Sequence, residues 1–182
     1  VYARGAELDQ RHYQVFQLGE PYRDPASGEV LGLAALFAAD AVLEAGGDPA
    51  TLRLTASRRE ALIGDRLFPA DDQPFAYEFI PHAPPPGTRG QIIAVIGGVS
   101  LVGQYQTVVV NLGRRQLIEP GHVLEIFNAG RLVRDPVRRE TVELPPERAG
   151  LLMIYKVYDR VSYALIMSAT RAIRILDRVA TP

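Results

Sequence analysis

The sequence has 182 residues, 47% of them hydrophobic, with 20 basic residues against 21 acidic ones for a formal net charge of −1. Balanced charge excludes the clustered basic excess of a nucleic-acid footprint and polybasic attachment to anionic lipid, while this apolar fraction supports a real core in one large or two small domains. There is no cysteine, which excludes disulfides, zinc–thiolate sites and a cysteine nucleophile.

In chain order, Val1–Leu8 is a lead-in and His12–Leu18, HYQVFQL, alternates as a strand does. Tyr22–Gly28 is a turn, opened by Asp24-Pro25 and closed by Gly28. Glu29–Glu44 is rich in Ala and Leu, which favours helix by propensity. It lies between strand-like segments and carries Gly32, so it is read as a long, bent strand with helix as the alternative. Thr51–Thr55 alternates apolar and polar residues, Ser57–Glu60 is a polar turn or one helical turn, and Leu62–Phe68 follows.

Pro69–Gly90 holds six of the prolines and is the best boundary, with Pro84–Pro86 expected as extended polyproline II. Inside it lies an aromatic strip, Phe75, Tyr77 and Phe79. These rings either pin the linker to a barrel or form an exposed surface for glycan or peptide. Next come strands at Gln91–Ile96, Gly103–Val110 and Val123–Phe127, with a polar turn at Asn111–Arg115 and another at Glu119-Pro120-Gly121. Gly97-Gly98 reads as a turn or bulge. Asn128–Gly130 closes a hairpin, Arg131–Pro146 is an exposed excursion, and strands follow at Gly150–Tyr158 and Val161–Ser168. Thr170–Val179 ends the chain with apolar alternation at Ile173, Ile175 and Val179.

One local pattern recurs. Thr51–Leu67 and Thr107–Leu124 both read as strand, polar turn with an Arg pair, apolar step, glycine turn and strand; a weaker third copy begins at Ala164. The pairs Arg58-Arg59 and Arg114-Arg115 are read as solvated turn residues. Many short strands with closely spaced turns mean an all-β chain: two small β-barrel or sandwich-like domains, 1–70 and 91–182, joined by a Pro-rich linker at 71–90.

Chemistry is harder to find. His12, His82 and His122 lie far apart and form no zinc-spacing pair, so each is read as a surface or turn residue. No nucleophile elbow, phosphate loop or dinucleotide fingerprint is present. Carboxylates are plentiful, but no two are singled out as the pair a glycan hydrolase needs. No catalytic residue, metal site or cofactor is expected. The longest apolar run, around Val30–Val42, is interrupted by Asp40 and falls short of the roughly 18–20 residues of a spanning helix. The chain starts at Val1 without an initiator Met or a leader, and is expected to be part of a longer protein.

TRGQIIAVIGGVSLVGQYQTVVVNLGRRQLIEPGHVLEIFNAG and ERAGLLMIYKVYDRVSYALIMSATRAIRILDRV, with YRDPASGEVLG and LIGDRLFP ahead of them, resemble the C-terminal region of bacterial LysM-domain-containing cell-envelope proteins. The central GQ…VVVNLG…EPGHVLEIF pattern is also similar, more generically, to small β-modules of periplasmic flagellar and secretion accessory proteins. The first resemblance implies a periplasmic, cell-envelope parent that holds peptidoglycan through an upstream LysM module; that module is not in this chain. The implied role here is non-catalytic interaction or scaffolding, with another envelope protein as a further partner. The alternatives are glycan or peptide binding by Phe75, Tyr77 and Phe79, or a glycan hydrolase.

Overall fold

The computed structural model describes residues 1–6, 9–70, 78–97, 102–128, 132–134, 137–138, 140–143 and 145–182, with the backbone alone at 132–133 and 142–143. The chain is all-β and divides into two compact units, Val1–Pro21 with Leu33–Ala76, and Tyr22–Gly32 with Tyr77–Pro182.

The first unit is a five-stranded sheet. Its strands are β1 (Tyr2–Ala3), β2 (His12–Arg23), β3 (Val30–Ala45), β4 (Ala50–Ser57) and β5 (Arg66–Pro69), in the order β1-β4-β3-β2-β5. Glu29–Glu44 is therefore strand, as the flanking segments suggested. Its pairing with β4 slips at Asp40/Ala41 and again at Leu43/Ala45, and these irregularities supply the bend. Ala38, Ala39 and Ala41 are fully buried with Tyr13, Ala50 and Leu52. Here alanine serves close sheet packing, and tertiary context overrides its helix propensity.

The second unit contains β6 (Arg89–Val95), β7 (Thr107–Val110), β8 (Val123–Phe127), β9 (Leu132–Arg134), β10 (Thr141–Glu143), β11 (Arg148–Val157), β12 (Ser162–Ala169) and β13 (Arg178–Ala180). Six of these close a barrel in the order β11-β12-β7-β6-β13-β8, with every pairing antiparallel. β9 and β10 pair with each other outside it. The barrel is two interleaved halves. Each half is a hairpin followed by a third strand: β6–β7 then β8, and β11–β12 then β13. The third strand never pairs with its own hairpin. β8 lies between β11 and β13, and β13 lies between β6 and β8. Inward residues recur with the period of two that a closed sheet requires: Leu124 and Ile126, Leu152 and Ile154, Ala164 and Ile166 are all 0% exposed. Each such buried Leu or Ile contributes about 1.5–3 kcal/mol of transfer free energy.

Several boundaries differ from the expected ones. The domain division expected at 1–70 and 91–182 is crossed twice. Residues 78–90 of the proline segment belong to the barrel unit, because the barrel takes up their backbone groups: His82 N–H donates to Gly121 O at 3.0 Å, Val123 N–H donates to His82 O at 2.9 Å, and the Thr181 hydroxyl donates to Pro85 O at 3.2 Å. Residues 71–77 lie outside the described residues. The far end of the β2–β3 hairpin, Tyr22–Gly32, also belongs to the barrel unit. The strand expected from Gly103 starts only at Thr107, because Gly103 N–H is held by Gln106 Oε1 at 2.7 Å in a turn. Of Thr170–Val179 only the last two residues enter β13, since Arg174–Asp177 is a turn. The excursion at 131–146 carries the β9–β10 pair.

The hairpin end is fixed by named contacts. Asn111 Nδ2 donates to Asp24 Oδ2 at 2.9 Å, and Asn111 Oδ1 accepts Gln91 N–H at 2.6 Å. Arg160 pairs with Glu29 and donates to Val30 O at 3.2 Å. Tyr22 and Tyr163 share a hydroxyl–hydroxyl bond at 3.2 Å. Burial, then the Tyr22 hydroxyl, pushes the Tyr163 phenol well above its ordinary value. Ser27 N–H, then Asn111, holds the Asp24 carboxyl below the ordinary carboxylate range. A carboxyl depressed on folding contributes stability above its unfolded pKa, and that contribution is lost as pH falls through the folded value. Asn111→Ala removes two bonds at once. Its urea midpoint is expected to correspond to a loss of about 1–3 kcal/mol at neutral pH. In the same variant, NMR titration is expected to show the Asp24 carboxyl moving up toward its ordinary value; an unmoved Asp24 contradicts the assignment.

Candidate metal centre

The feature that most concentrates chemistry lies where a turn delivers β8 to the barrel. At Leu62–Asp65, Glu119–His122 and Arg174–Asp177 the chain makes the same turn. In each, the fourth residue's N–H bonds the first residue's carbonyl, at 3.2, 3.3 and 3.2 Å. The third residue takes a left-handed backbone, Gly64 at φ 101, Gly121 at φ 97 and Leu176 at φ 75, as in a type II turn. The fourth residue's side chain then accepts the first residue's N–H: Asp65 Oδ2 from Leu62 at 2.8 Å, His122 Nδ1 from Glu119 at 3.1 Å, Asp177 Oδ2 from Arg174 at 2.8 Å. A strand starts at once afterwards, β5, β8 or β13. The recurrent sequence pattern is thus a recurrent strand-starting turn, and its Arg pairs are exposed as expected; Arg115 is bound by Asp159 at 2.7 Å.

In the second copy histidine takes the acceptor position, and a second histidine is brought against it. His82 and His122 form a parallel bridge, with ring centroids 4.5 Å apart and planes at 66°. His82 is exposed and His122 closes a turn, as expected of each, but the fold brings the two together. His122 is only 4% exposed, and its neighbour comes from the proline segment through backbone pairing that sequence spacing does not reveal. Gly121 permits the approach: a Cβ there would meet Ile80 O at 2.6 Å and the His82 ring at 2.9 Å. His12 is exposed at the start of β2, in the other unit.

Hydrogen bonding sets opposite tautomers on the two rings. His82 Nδ1 lies 2.8 Å from Ile80 O, a pure acceptor, so Nδ1 carries the proton and Nε2 the lone pair. His122 Nδ1 accepts the Glu119 amide, so its proton sits on Nε2. Burial, then the neighbouring His82, lowers the His122 pKa. His82, Glu119 and His122 each bring one donor atom within 4.8 Å of the others. His82 has the geometry of a ligand, with its far nitrogen tied to a backbone carbonyl. His122 offers its remaining nitrogen to a cation only by moving its proton to Nδ1 and giving up the turn bond. As folded, the cluster is a turn cap first and a metal site only at the expense of that cap.

Of the aromatic strip, Phe75 and Tyr77 lie outside the described residues. Phe79 is half-buried in the barrel unit and engaged by neighbours. A groove of about 730 Å³ lies in the first unit, lined by Val1–Ala6 and Ala61–Leu67, with Tyr13, Val15 and Leu52. No helix among the described residues is long and apolar enough to cross a membrane. No protein-family model matches the chain, and no curated protein matches it either.

His122 sets a pH dependence whose sign is fixed. A histidine depressed on folding is neutral in the native state at pH values where the unfolded chain already protonates. Its contribution is therefore complete above about 6.5 and declines as pH falls from there through the depressed native value. The urea midpoint is expected to drop between pH 7 and pH 5. His122→Asp restores the acceptor that Asp65 and Asp177 supply, and is expected to keep cooperative unfolding while flattening that decline. His122→Ala is expected to lose about 1–2 kcal/mol at pH 7 and less at pH 5, so that its decline is flattened as well. Equal pH slopes in all three proteins contradict this role.

Proposed function

We propose that this chain is a non-catalytic interaction and scaffolding region of a LysM-type cell-envelope protein, working in the periplasm beside peptidoglycan that an upstream LysM module holds. The envelope setting rests on the sequence resemblance. What supports an interaction role is one residue, Tyr105.

Tyr105 stands in a left-handed backbone conformation at φ 66, and its side chain is 70% exposed. A bulky residue there costs about 1–3 kcal/mol and persists only where the surroundings impose it. The surroundings do so. Tyr105 N–H donates to Ile166 O at 2.8 Å, Gln104 Nε2 donates to Met167 O at 2.9 Å, and Gly103 is tied to Gln106. Glycine would satisfy this turn without strain, so the aromatic ring is not there for the fold. Met167, 39% exposed, lies on the strand that anchors it. A rigidly presented aromatic beside a methionine is the composition of an interaction anchor. The shifted titratable groups fit the same reading: Asp24, Arg115, His122 and Tyr163 each serve a hydrogen bond within the fold.

A second reading, direct contact of this chain with wall glycan, is favoured by the same ring, whose face suits stacking on a sugar. Sedimentation with purified peptidoglycan separates the two. If the chain pellets and Tyr105→Gly does not, the chain contacts the wall itself. If only the LysM-containing parent pellets, the Tyr105 corner serves an envelope protein. In either case Tyr105→Gly is expected to melt at the same temperature or a few degrees higher, because the backbone strain is removed. Release of soluble muropeptides from the sacculi by this chain contradicts both readings.

A further inference from the structure

The two units share one strand plan. In the barrel the halves β6-β7-β8 and β11-β12-β13 obey a simple rule of partners. The two strands of each hairpin pair with each other, the second strands of the two hairpins pair (β7 with β12), the third strands pair (β8 with β13), and each third strand pairs with the first strand of the other half (β8 with β11, β13 with β6).

The same rule assigns the first unit. Let β3, β4 and β5 be one half, with the recurrent turn before β5 as it stands before β8 and β13. Let β1 and β2 be the second and third strands of the other half. The rule then requires β3 with β4, β1 with β4, β2 with β5 and β2 with β3. All four pairings are present. The sequence between β1 and β2 agrees: Leu8-Asp9 stands there as Leu176-Asp177 stands between β12 and β13. Two pairings of the rule are left, and both involve one further strand, the first of its half. It would pair with β1 on one side and β5 on the other. Among the described residues β1 and β5 are the two edges of the sheet. The groove of about 730 Å³ lies between them, with Val1–Ala6 on one wall and Ala61–Leu67 on the other.

We propose that the first unit is the same six-stranded barrel and that its sixth strand is an extended polypeptide segment joined to the amino end of β1, seated in this groove antiparallel to β1 and β5. The connection to β1 fixes the source. In both barrel hairpins and in β3–β4, the first strand directly precedes the second in the chain. Val1 is already in ladder geometry, its nitrogen donating to Leu52 O at 2.8 Å and its carbonyl accepting Leu52 N–H at 2.9 Å, so a strand ahead of it enters the groove through one tight turn. The floor of Tyr13, Val15 and Leu52 is apolar, which calls for alternating apolar residues on the inner face of that strand. Polar edges left unpaired beside such a floor are the usual acceptors of an added strand. The inference stands on strand pairing and is independent of any envelope role.

The test compares three proteins by amide hydrogen exchange: the 182-residue chain, the same chain carrying the residues its reading frame encodes directly ahead of Val1, and that extended chain with the added residues scrambled. The expected result is slowing of about tenfold or more at the Arg66–Phe68 and Tyr2–Ala3 amides in the natural extension alone, with a higher melting temperature. Unchanged exchange at those amides, equal slowing by the scrambled extension, or a reading frame encoding no alternating strand ahead of Val1 overturns the proposal.

Discussion

One turn organises this chain. Its third residue takes a left-handed backbone, and its fourth residue's side chain turns back to hold the first residue's amide. That amide would otherwise be left without a partner at a sharp corner, where it costs most. With the bond made, the backbone leaves the corner extended and in a new direction. The third strand of each half is thereby sent away from its own hairpin and across to the other half. Barrel closure, the interleaving of halves, and the meeting of His82 with His122 all follow from where that strand goes.

The acceptor position is filled by two residue types. Asp65 and Asp177 accept through a carboxylate oxygen. His122 accepts through a ring nitrogen, which a proton would block, and burial lowers the pKa of that ring. Histidine also brings a second nitrogen that aspartate lacks, and this makes the second corner resemble a metal site. The resemblance is partial because one nitrogen cannot serve the turn and leave the ring free to bind a cation through the other without a change of tautomer.

Much of the architecture was legible in the sequence. Alternation marked most strands, and the recurrence of Thr51–Leu67 in Thr107–Leu124 marked the corner before its geometry was known. The third copy was fainter for a physical reason: Leu176 holds the left-handed position that glycine marks in the other two. Glu29–Glu44 was ambiguous because alanine favours helix locally, while its burial between two strands is a tertiary fact. Pairing between halves was not legible, since strands far apart in the chain carry no local sign of each other. The histidine pair was hidden for the same reason. So was the attachment of the proline segment, which composition alone marks as a spacer, although its carbonyls and amides are used by the barrel.

The interleaving also bears on how the polypeptide reaches its native state. A hairpin can form as soon as it is synthesised, but β8 has no partner in the half that carries it. Until β11 and β13 emerge, β8 has two unsatisfied edges and an apolar face bearing Leu124 and Ile126. Neither half has all of its strand partners alone, and pairing of segments this distant in the chain slows folding. The interval between synthesis of β8 and synthesis of β13 is therefore when this molecule is most exposed to strand-mediated aggregation, and a chaperone acting on it has most to protect in that interval.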